Sequence, residues 1–344
     1  PMTEARWPAR LPWPLVFQVL GVIAAVWLVV HTWELWLLVF TALILAAAIL
    51  PAARAGERYR IPRGVTVLLV YAAVVGVMVL MGRLLWPALV EQGRQFLEQL
   101  PRLIANVRDW VGDVESYMLG RWGASLPTPK GDGLPAVVGT VLANTFRVTT
   151  GALGALFGLL AILFVAAYLV IDARHVGGLL LALLPPAHRS TAARLAGPVL
   201  DRIGGYVRGQ MVSSFFVGAL IAIALSVLGV QYSLLIGALA AVFNIVPFVG
   251  ATLALILGVL SALNQSLGLA LVTAAVMTGA QTVEGKFLAP HFVGRATGLH
   301  PLAVLLALLA GGHLAGLIGA LVAVPLLAGL WEVVRSLWVE PRQG

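Results

Sequence analysis

The sequence carries very little charge for its length. Only 10% of its 344 residues are Asp, Glu, Lys or Arg, whereas soluble domains carry about 25%. At the same time, 60% of the residues are hydrophobic and the mean hydropathy is +0.99. So few charges cannot form the polar exterior of a water-soluble protein. The chain is therefore predicted to reside in a lipid bilayer.

Cysteine is absent as well. Its absence excludes disulfide bonds and thiolate chemistry, at a metal or in redox catalysis, and leaves the compartment undecided. The motifs G-x-S-x-G, H-E-x-x-H and G-x-x-x-x-G-K-[ST] do not occur. The three histidines of the last third are scattered along the chain. We therefore expect no enzymatic activity, no cofactor and no metal.

The apolar residues form continuous runs. A bilayer admits only helices or closed barrels, because the backbone must satisfy its own hydrogen bonds there. Barrel strands alternate every second residue, whereas these runs continue for about 16 to 22 residues, the length that crosses roughly 30 Å as a helix. We predict an all-α, polytopic integral membrane protein with about six full spans plus two broken or re-entrant helical hairpins.

The net charge of +8 comes from arginines in short loops between the apolar runs. Positive charge of this kind accumulates on the cytoplasmic side of membrane proteins. The loop that contains Arg54, Arg58, Arg60 and Arg63 is therefore predicted to be cytoplasmic, together with both chain termini. Contact with the inner leaflet explains these arginines better than nucleic acid does, because they do not form one continuous face.

The apolar runs divide the chain into regions. The first run, Leu15 to Val30, is interpreted as a span and not as a signal peptide, because a second run follows a short polar break at once. The predicted regions are three spans in 1–86, extracytoplasmic amphipathic helices and a loop in 87–150, a fourth span in 151–171, a cytoplasmic interfacial helix in 172–210, and a C-terminal transport core in 211–340 with broken segments near 244–250 and 311–316.

The extracytoplasmic region contains a helical pattern. Apolar residues recur at alternating three- and four-residue steps from Phe96 to Tyr117. The pattern predicts an amphipathic helix that is interrupted near Pro101. Its apolar face either rests on the membrane or on the chain's own bundle, or forms a contact between subunits, since a repeat near 3.5 residues suits helix pairing.

Several short motifs follow one another from Tyr206 onward. They are Tyr206-Val-Arg-Gly-Gln210, Asn244-Ile-Val-Pro-Phe-Val-Gly250, Gln281-x-x-Glu284 leading to Pro290, Gly298-Leu-His-Pro301, Gly311-Gly312, Gly316-x-x-Gly319 and Ala323-Val-Pro325. With these motifs in this order, the chain resembles the autoinducer-2 exporter (AI-2E) family of bacterial membrane transporters. The resemblance covers about the last third of the chain, and the N-terminal half is similar only in its layout of apolar runs.

The resemblance implies a homo-oligomeric, multi-spanning transporter of the bacterial cytoplasmic (inner) membrane that works without ATPase machinery. It leaves the cargo open, because similar proteins are linked both to export of the autoinducer-2 signal and to sodium/proton exchange. One position departs from the family pattern: the residue after Glu284 is Gly285, where the family often has Asn.

Two apolar segments of the C-terminal half are interrupted at their centres. Asn244 and Pro247 break the stretch that ends at Leu263, and proline frees carbonyls that lipid cannot satisfy. Glycines break the stretch from Leu302 to Trp331 in a similar way. Transporters place binding sites at paired interruptions of this kind. A kinked or glycine-packed span is the alternative in both places.

Glu284 is the only carboxylate between Arg202 and Trp331. A charge at the bilayer centre costs about 2.5 to 3.5 kcal/mol, so such a residue usually has a partner or a task. We regard it as the first candidate for a protonatable or cation-coordinating site, and an interfacial glutamate at the end of a span is the alternative. Lys286 would need a local break in the helix to pair with it.

The remaining candidates are assigned by position. Gln281 lies one turn before Glu284 and either binds polar cargo or forms a helix contact. His300 either caps a helix or lines the pathway. Arg208 and Gln210 are expected to brace the hairpins from the cytoplasmic side, with headgroup contact as the simpler interpretation for Arg208. The full predicted pathway is Asn244, Pro247, Gly250, Gln281, Glu284, Lys286, Pro290, His300, Pro301, Gly311, Gly312, Gly316 and Pro325.

Three functions stay open on the sequence alone. The leading hypothesis is a secondary carrier that exports a small polar metabolite or signal, similar to autoinducer-2, by movement of the broken segments against the N-terminal helices. The second is cation/proton exchange at Glu284. The third is a structural membrane scaffold that organises partners through residues 88–118. Expected partners are membrane lipids, a small-molecule or ion substrate and further copies of the chain, and not nucleic acid.

Overall fold

The computed structural model describes residues 30–122, 152–247, 249–287 and 298–339, together with isolated positions between 17 and 28. Most of the predicted first span, the end of the predicted extracytoplasmic region and the predicted pathway residue Pro290 lie outside the described residues. Within the described ranges the regular structure is entirely helical, without a β-strand.

Nine α-helices make up the described part of the chain. They are α1 Trp33–Arg58, α2 Arg63–Trp122, α3 Ala152–Ile171, α4 Ala173–Ala182, α5 Pro186–Val227, α6 Ser233–Phe243, α7 Val249–Leu263, α8 Leu267–Val283 and α9 Pro301–Val334. π-helical turns extend α8 over residues 284–287 and α9 over Arg335–Val339.

Five of these helices are long and apolar enough to cross a membrane. They are α1, the Arg63–Gln99 part of α2, α5, α8 with its π turn, and α9 with its π turn. Helices α3 and α4 together pass the same test as a sixth span, although they are bent by 84° relative to each other. The chain is therefore an all-α, multi-pass membrane protein, and the predicted fold class is confirmed.

Helix α2 is longer than the sequence pattern predicts. It continues for 60 residues, through Pro87 and Pro101, which corresponds to about 90 Å. The interruption expected near Pro101 is therefore absent. Loss of one backbone donor at a proline does not end a helix that tertiary contacts hold on both sides. One such contact is Phe96, whose ring packs edge-on against Tyr232, the residue before α6.

Helix α5 also joins two predicted elements. The expected interfacial helix and the fifth span form one helix of 42 residues that packs on α1, α6 and α9. Gly218 of α5 and Gly237 of α6 permit an especially close crossing, since a Cβ on either glycine would overlap the carbonyl oxygen of the other. Small residues at such crossings let membrane helices pack backbone against backbone.

Helices α6 and α7 fold back on each other, and we call this unit the first hairpin. Near its open end, Ser261 Oγ donates a hydrogen bond of 2.9 Å to the carbonyl of Gln231. The two arms contain 11 and 15 residues, or about 16 and 22 Å, less than the roughly 30 Å of a bilayer core.

Helix α9 is folded in the same way and forms the second hairpin. Ala315 and Gly316 have non-helical backbone angles, and the positive φ of 59° at Gly316 suits glycine. Across the bend, a Cβ on Gly311 would overlap the carbonyl of Gly319. The interruptions predicted near 244–250 and 311–316 thus coincide with reversals of the chain. Their re-entrant placement in the membrane stays a prediction.

The glycine crossing of α5 and α6 can be tested by adding bulk. We expect Gly237→Leu to destabilise the protein by about 1–3 kcal/mol or more, because the new side chain meets backbone that cannot move aside. Thermal unfolding in detergent, followed by the fluorescence of the ten tryptophans, measures the change. Gly279→Leu is the matched control, since nothing lies within 4 Å of a Cβ there. Equal unfolding temperatures for the two variants would contradict the crossing.

Candidate functional site

A cavity of about 420 Å³ lies where the two hairpins meet α5 and α8. Cavities of roughly 300–1,000 Å³ are typical of small-molecule sites. The wall consists of Tyr206, Gln210, Ser213, Pro247, Ala251, Thr252, Gln281, Glu284, Gly285, Leu299, Pro301, Val304 and Val324.

Glu284 reaches this wall from the π-helical turn that follows α8. Such turns are rare in helices and are frequent at functional sites. The side chain is partly buried, and its Oε1 accepts a hydrogen bond of 2.7 Å from Nδ2 of Asn244. The partner of the carboxylate is therefore an amide of the first hairpin, whereas Lys286 is exposed and lies outside the cavity wall.

Asn244 connects three elements of the site. It follows the last residue of α6 and is completely buried. Its side chain binds Glu284 of α8, and its backbone carbonyl accepts a hydrogen bond from Nε2 of Gln210 in α5. The end of α6 leaves this carbonyl without a helical partner, and lipid cannot supply one. Gln210 thus satisfies the group that the predicted break exposes.

Gln281 forms a similar bond between α8 and the first hairpin. Its Nε2 donates to the carbonyl of Ala251 at 3.2 Å. Gly250 allows the start of α7 to pack closely against the end of α6, because a Cβ there would overlap the backbone of Asn244. Polar and backbone contacts therefore hold the first hairpin against both α5 and α8.

The second hairpin contributes only some of the predicted residues. Pro301 lies in the cavity wall, and His300 caps α9 by accepting a hydrogen bond of 3.2 Å from the Leu302 amide. Pro325 is buried beside the wall residue Val324. The predicted glycines lie outside the wall: Gly311 at the crossing of the two arms, Gly316 at the bend, and Gly312 with open space where a Cβ would stand.

Gln210, predicted only as a bracing residue, lies in the wall, and three further polar wall residues are missing from all the predicted site residues: Tyr206, Ser213 and Thr252. Tyr206 precedes Gln210 by four positions and Ser213 follows it by three. Residues at these spacings share one face of a helix. The helical register of Gln210 would therefore have identified two of the three.

Arg208 forms its hydrogen bonds with α1. Its guanidinium donates to the carbonyls of Ala48 at 2.9 Å and Ala47 at 3.4 Å. Pro51, four residues after Ala47, has no N–H to offer that carbonyl. Arg208 therefore compensates for a proline in the neighbouring helix and braces α1 against α5.

A largely buried ion pair lies at the base of the second hairpin. Arg202 Nε and Glu332 Oε2 are 2.7 Å apart, and both side chains are 12% exposed. Gly298, with a positive φ of 53°, packs near this arginine and Trp331. The pair thus connects α5 to the end of α9 and supports the segment that carries the wall residue Leu299.

Comparison with known proteins adds independent information. A family model described as AI-2E family transporter matches residues 15–338. The chain belongs to this family. Three relatives are each named "Putative transport protein". YueF of Bacillus subtilis is 25% identical over 81% of this chain and 77% of its own length, and YrrI of the same species is 27% identical over 88% and 86%. MT0215 of Mycobacterium tuberculosis is 27% identical over 96% of this chain and 91% of its own length.

In this AI-2E family member, the cavity wall contains a single charged side chain, that of Glu284. The remaining polar groups are a phenol, two amides and two hydroxyls. The arrangement provides hydrogen bonds and one negative charge for a bound solute, without the residues of a metal cluster. Within the described ranges, no group of three or more His, Cys, Asp or Glu residues is placed to hold a metal ion.

The role of Arg208 can be tested with a double-mutant cycle. We expect Arg208→Ala to cost about 1–3 kcal/mol, because it leaves the Ala47 carbonyl unsatisfied. The loss should be smaller in the background of Pro51→Ala, because the new alanine N–H can bind the Ala47 carbonyl. Thermal unfolding of the four proteins measures the coupling. An identical loss in both backgrounds would show that Arg208 does not compensate for the proline.

Proposed function

We propose that this AI-2E family member is a secondary transporter that exports a small polar metabolite or signal across the bacterial cytoplasmic membrane. One observation supports the proposal above the others: a cavity of about 420 Å³, with a carboxylate and several polar side chains, lies between two helical hairpins. The names of the bacterial relatives and the description of the family agree with transport. We propose no catalysis.

The hairpins suggest how such a transporter would work. The bend of the first hairpin needs a polar partner inside the protein, which Gln210 supplies at the Asn244 carbonyl. Transporters place binding sites for polar cargo at interruptions of this kind. The first hairpin is held by hydrogen bonds that Gln210 and Gln281 donate to its carbonyls, and by the one that its Asn244 donates to the carboxylate of Glu284. The second contacts the site through apolar side chains, among them Val304 and Val324. In the proposed cycle, the second hairpin therefore moves against α5 and the first hairpin to open the cavity.

Cation/proton exchange is the second candidate function. The specific observation in its favour is that Glu284 has an amide partner and no basic partner in the cavity wall. A carboxylate in such a place can bind a proton or a cation alternately. The same residue would also serve proton-coupled export of a metabolite.

Transport through the cavity can be tested by filling it. Thr252→Trp places a large ring at an exposed wall position, so we expect solute efflux from proteoliposomes to fall at least ~10-fold because the site is occluded. Liposomes loaded with a mixture of small polar metabolites, with mass spectrometry of the external medium under imposed proton or sodium gradients, provide the assay. Thr278→Trp is the matched control, since Thr278 is exposed and lies outside the wall. Equal efflux through both variants would contradict the proposed route.

Coupling to protons can be tested at Glu284. Glu284→Gln retains an oxygen that accepts the hydrogen bond from Asn244 but carries no charge and cannot exchange a proton. We expect loss of gradient-driven exchange and of any proton-coupled efflux, measured with a pH-sensitive dye inside the liposomes. Unchanged proton movement in the variant would exclude this carboxylate from coupling. A structural scaffold would move no protons, either as the wild-type protein or as the variant.

A further inference from the structure

The two glutamines of the cavity wall have fixed orientations. Nε2 of Gln210 donates to the Asn244 carbonyl, and Nε2 of Gln281 donates to the Ala251 carbonyl. A backbone carbonyl can only accept, so the nitrogen of each amide must face it. Each Oε1 is therefore directed elsewhere, and neither accepts a hydrogen bond from the residues that the structure describes. Both amides offer an acceptor oxygen to a bound solute.

The carboxylate adds a further acceptor and the only charge. Oε1 of Glu284 accepts from Asn244, and its Oε2 accepts no hydrogen bond in the described part of the chain. The positive groups that the structure describes near these elements are engaged or placed elsewhere. Arg202 pairs with Glu332, Arg208 donates to carbonyls of α1, and Lys286 is exposed and outside the wall. An anion in this cavity would therefore face a carboxylate and acceptor oxygens, and the described wall residues supply no compensating cation.

The rest of the wall is apolar and comes largely from one side. The second hairpin and the segment before it contribute Leu299, Pro301, Val304 and Val324, and no polar side chain. Tyr206 adds an aromatic ring, a group that recognises quaternary ammonium ions in proteins. A bare metal ion would need oxygen ligands at about 2.0–2.6 Å on all sides. A one-sided polar wall in a cavity of about 420 Å³ suits a larger molecule.

We propose that the substrate of this site is a small organic cation: a protonated amine or quaternary ammonium group held by Glu284 and the acceptor oxygens of Gln210 and Gln281, with a short apolar body against the second hairpin. The inference rests on the proposed function, since it assumes that the transported molecule occupies the cavity. It narrows the class of cargo from small polar solutes to cationic ones.

The test compares probes of equal shape and different charge. Choline, its neutral isostere 3,3-dimethyl-1-butanol and the anion 3,3-dimethylbutanoate form one set, and butylammonium, butanol and butyrate form another. Binding to the full chain in lipid nanodiscs is measured by the shift of its unfolding temperature with ligand concentration. We expect each cation to bind at least ~10-fold more tightly than its neutral isostere, and the anions to bind more weakly still. Equal affinities for cation and neutral isostere in both sets would overturn the proposal.

Two variants assign the preference to the site. Glu284→Gln keeps the acceptor that Asn244 uses and removes only the charge. The ratio of the affinity for each cation to the affinity for its neutral isostere should therefore fall to about 1. Glu98→Gln removes an exposed carboxylate on α2 and should leave the preference unchanged. Unfolding temperatures without ligand verify that both variants are folded. A preference that survives Glu284→Gln would place the recognition elsewhere and contradict the assignment.

Failure of this inference is distinguishable from failure of the proposed function. Efflux of neutral or anionic solutes that Thr252→Trp blocks would refute the cationic class and leave the transport route intact. If no solute in the loaded mixture or the probe sets crosses wild-type proteoliposomes faster than protein-free ones, the proposed function fails, and the inference fails with it.

Discussion

A chain in a bilayer must provide a partner for every main-chain polar group that a helix end leaves open, and the site depends on how this requirement is met at Asn244. The first hairpin can reverse there because Gln210 supplies a donor for the exposed carbonyl. The side chain of Asn244 in turn orients the carboxylate of Glu284. One structural requirement of the backbone therefore fixes two functional groups of the cavity, the amide oxygen of Gln210 and the acidic oxygens of Glu284.

The two hairpins are attached to the protein in different ways. Hydrogen bonds and the crossing of Gly218 with Gly237 hold the first. The second rests on an apolar cluster around Tyr206 and Val324, and on the ion pair between Arg202 and Glu332 at its base. Apolar surfaces can slide with little loss of energy, whereas buried hydrogen bonds must be replaced when they break. This difference supports the second hairpin, apart from its ion-paired base, as the moving element of the proposed cycle.

Much of this architecture follows from the sequence, because its strongest signals are local. Low charge and long apolar runs predict membrane helices, and Pro247 and Gly316 mark the reversals of the two hairpins. Glu284 is conspicuous as an isolated carboxylate. The regional boundaries assigned from the apolar runs remain predictions, as do the oligomer and the cytoplasmic orientation of the termini.

The features that sequence analysis misses depend on tertiary contacts. The local sequence predicts helix ends at Pro101 and near Gln210. Both α2 and α5 continue through these positions, because each packs against neighbouring helices. The partner of Arg208 is visible only when α1 and α5 lie side by side, since Pro51 is distant in sequence. The π turn at Glu284 likewise has no pattern that would predict it.

The continuity of α2 has a mechanical consequence. A single helix of 60 residues acts as a lever, so a tilt of about 10° at its membrane end would displace a point 45 Å further along by about 8 Å. Asn106 on the distal part of α2 is hydrogen-bonded to Asn264, directly after the second arm of the first hairpin. A force applied at the far end of this lever would therefore be transmitted to the hairpin that carries Asn244.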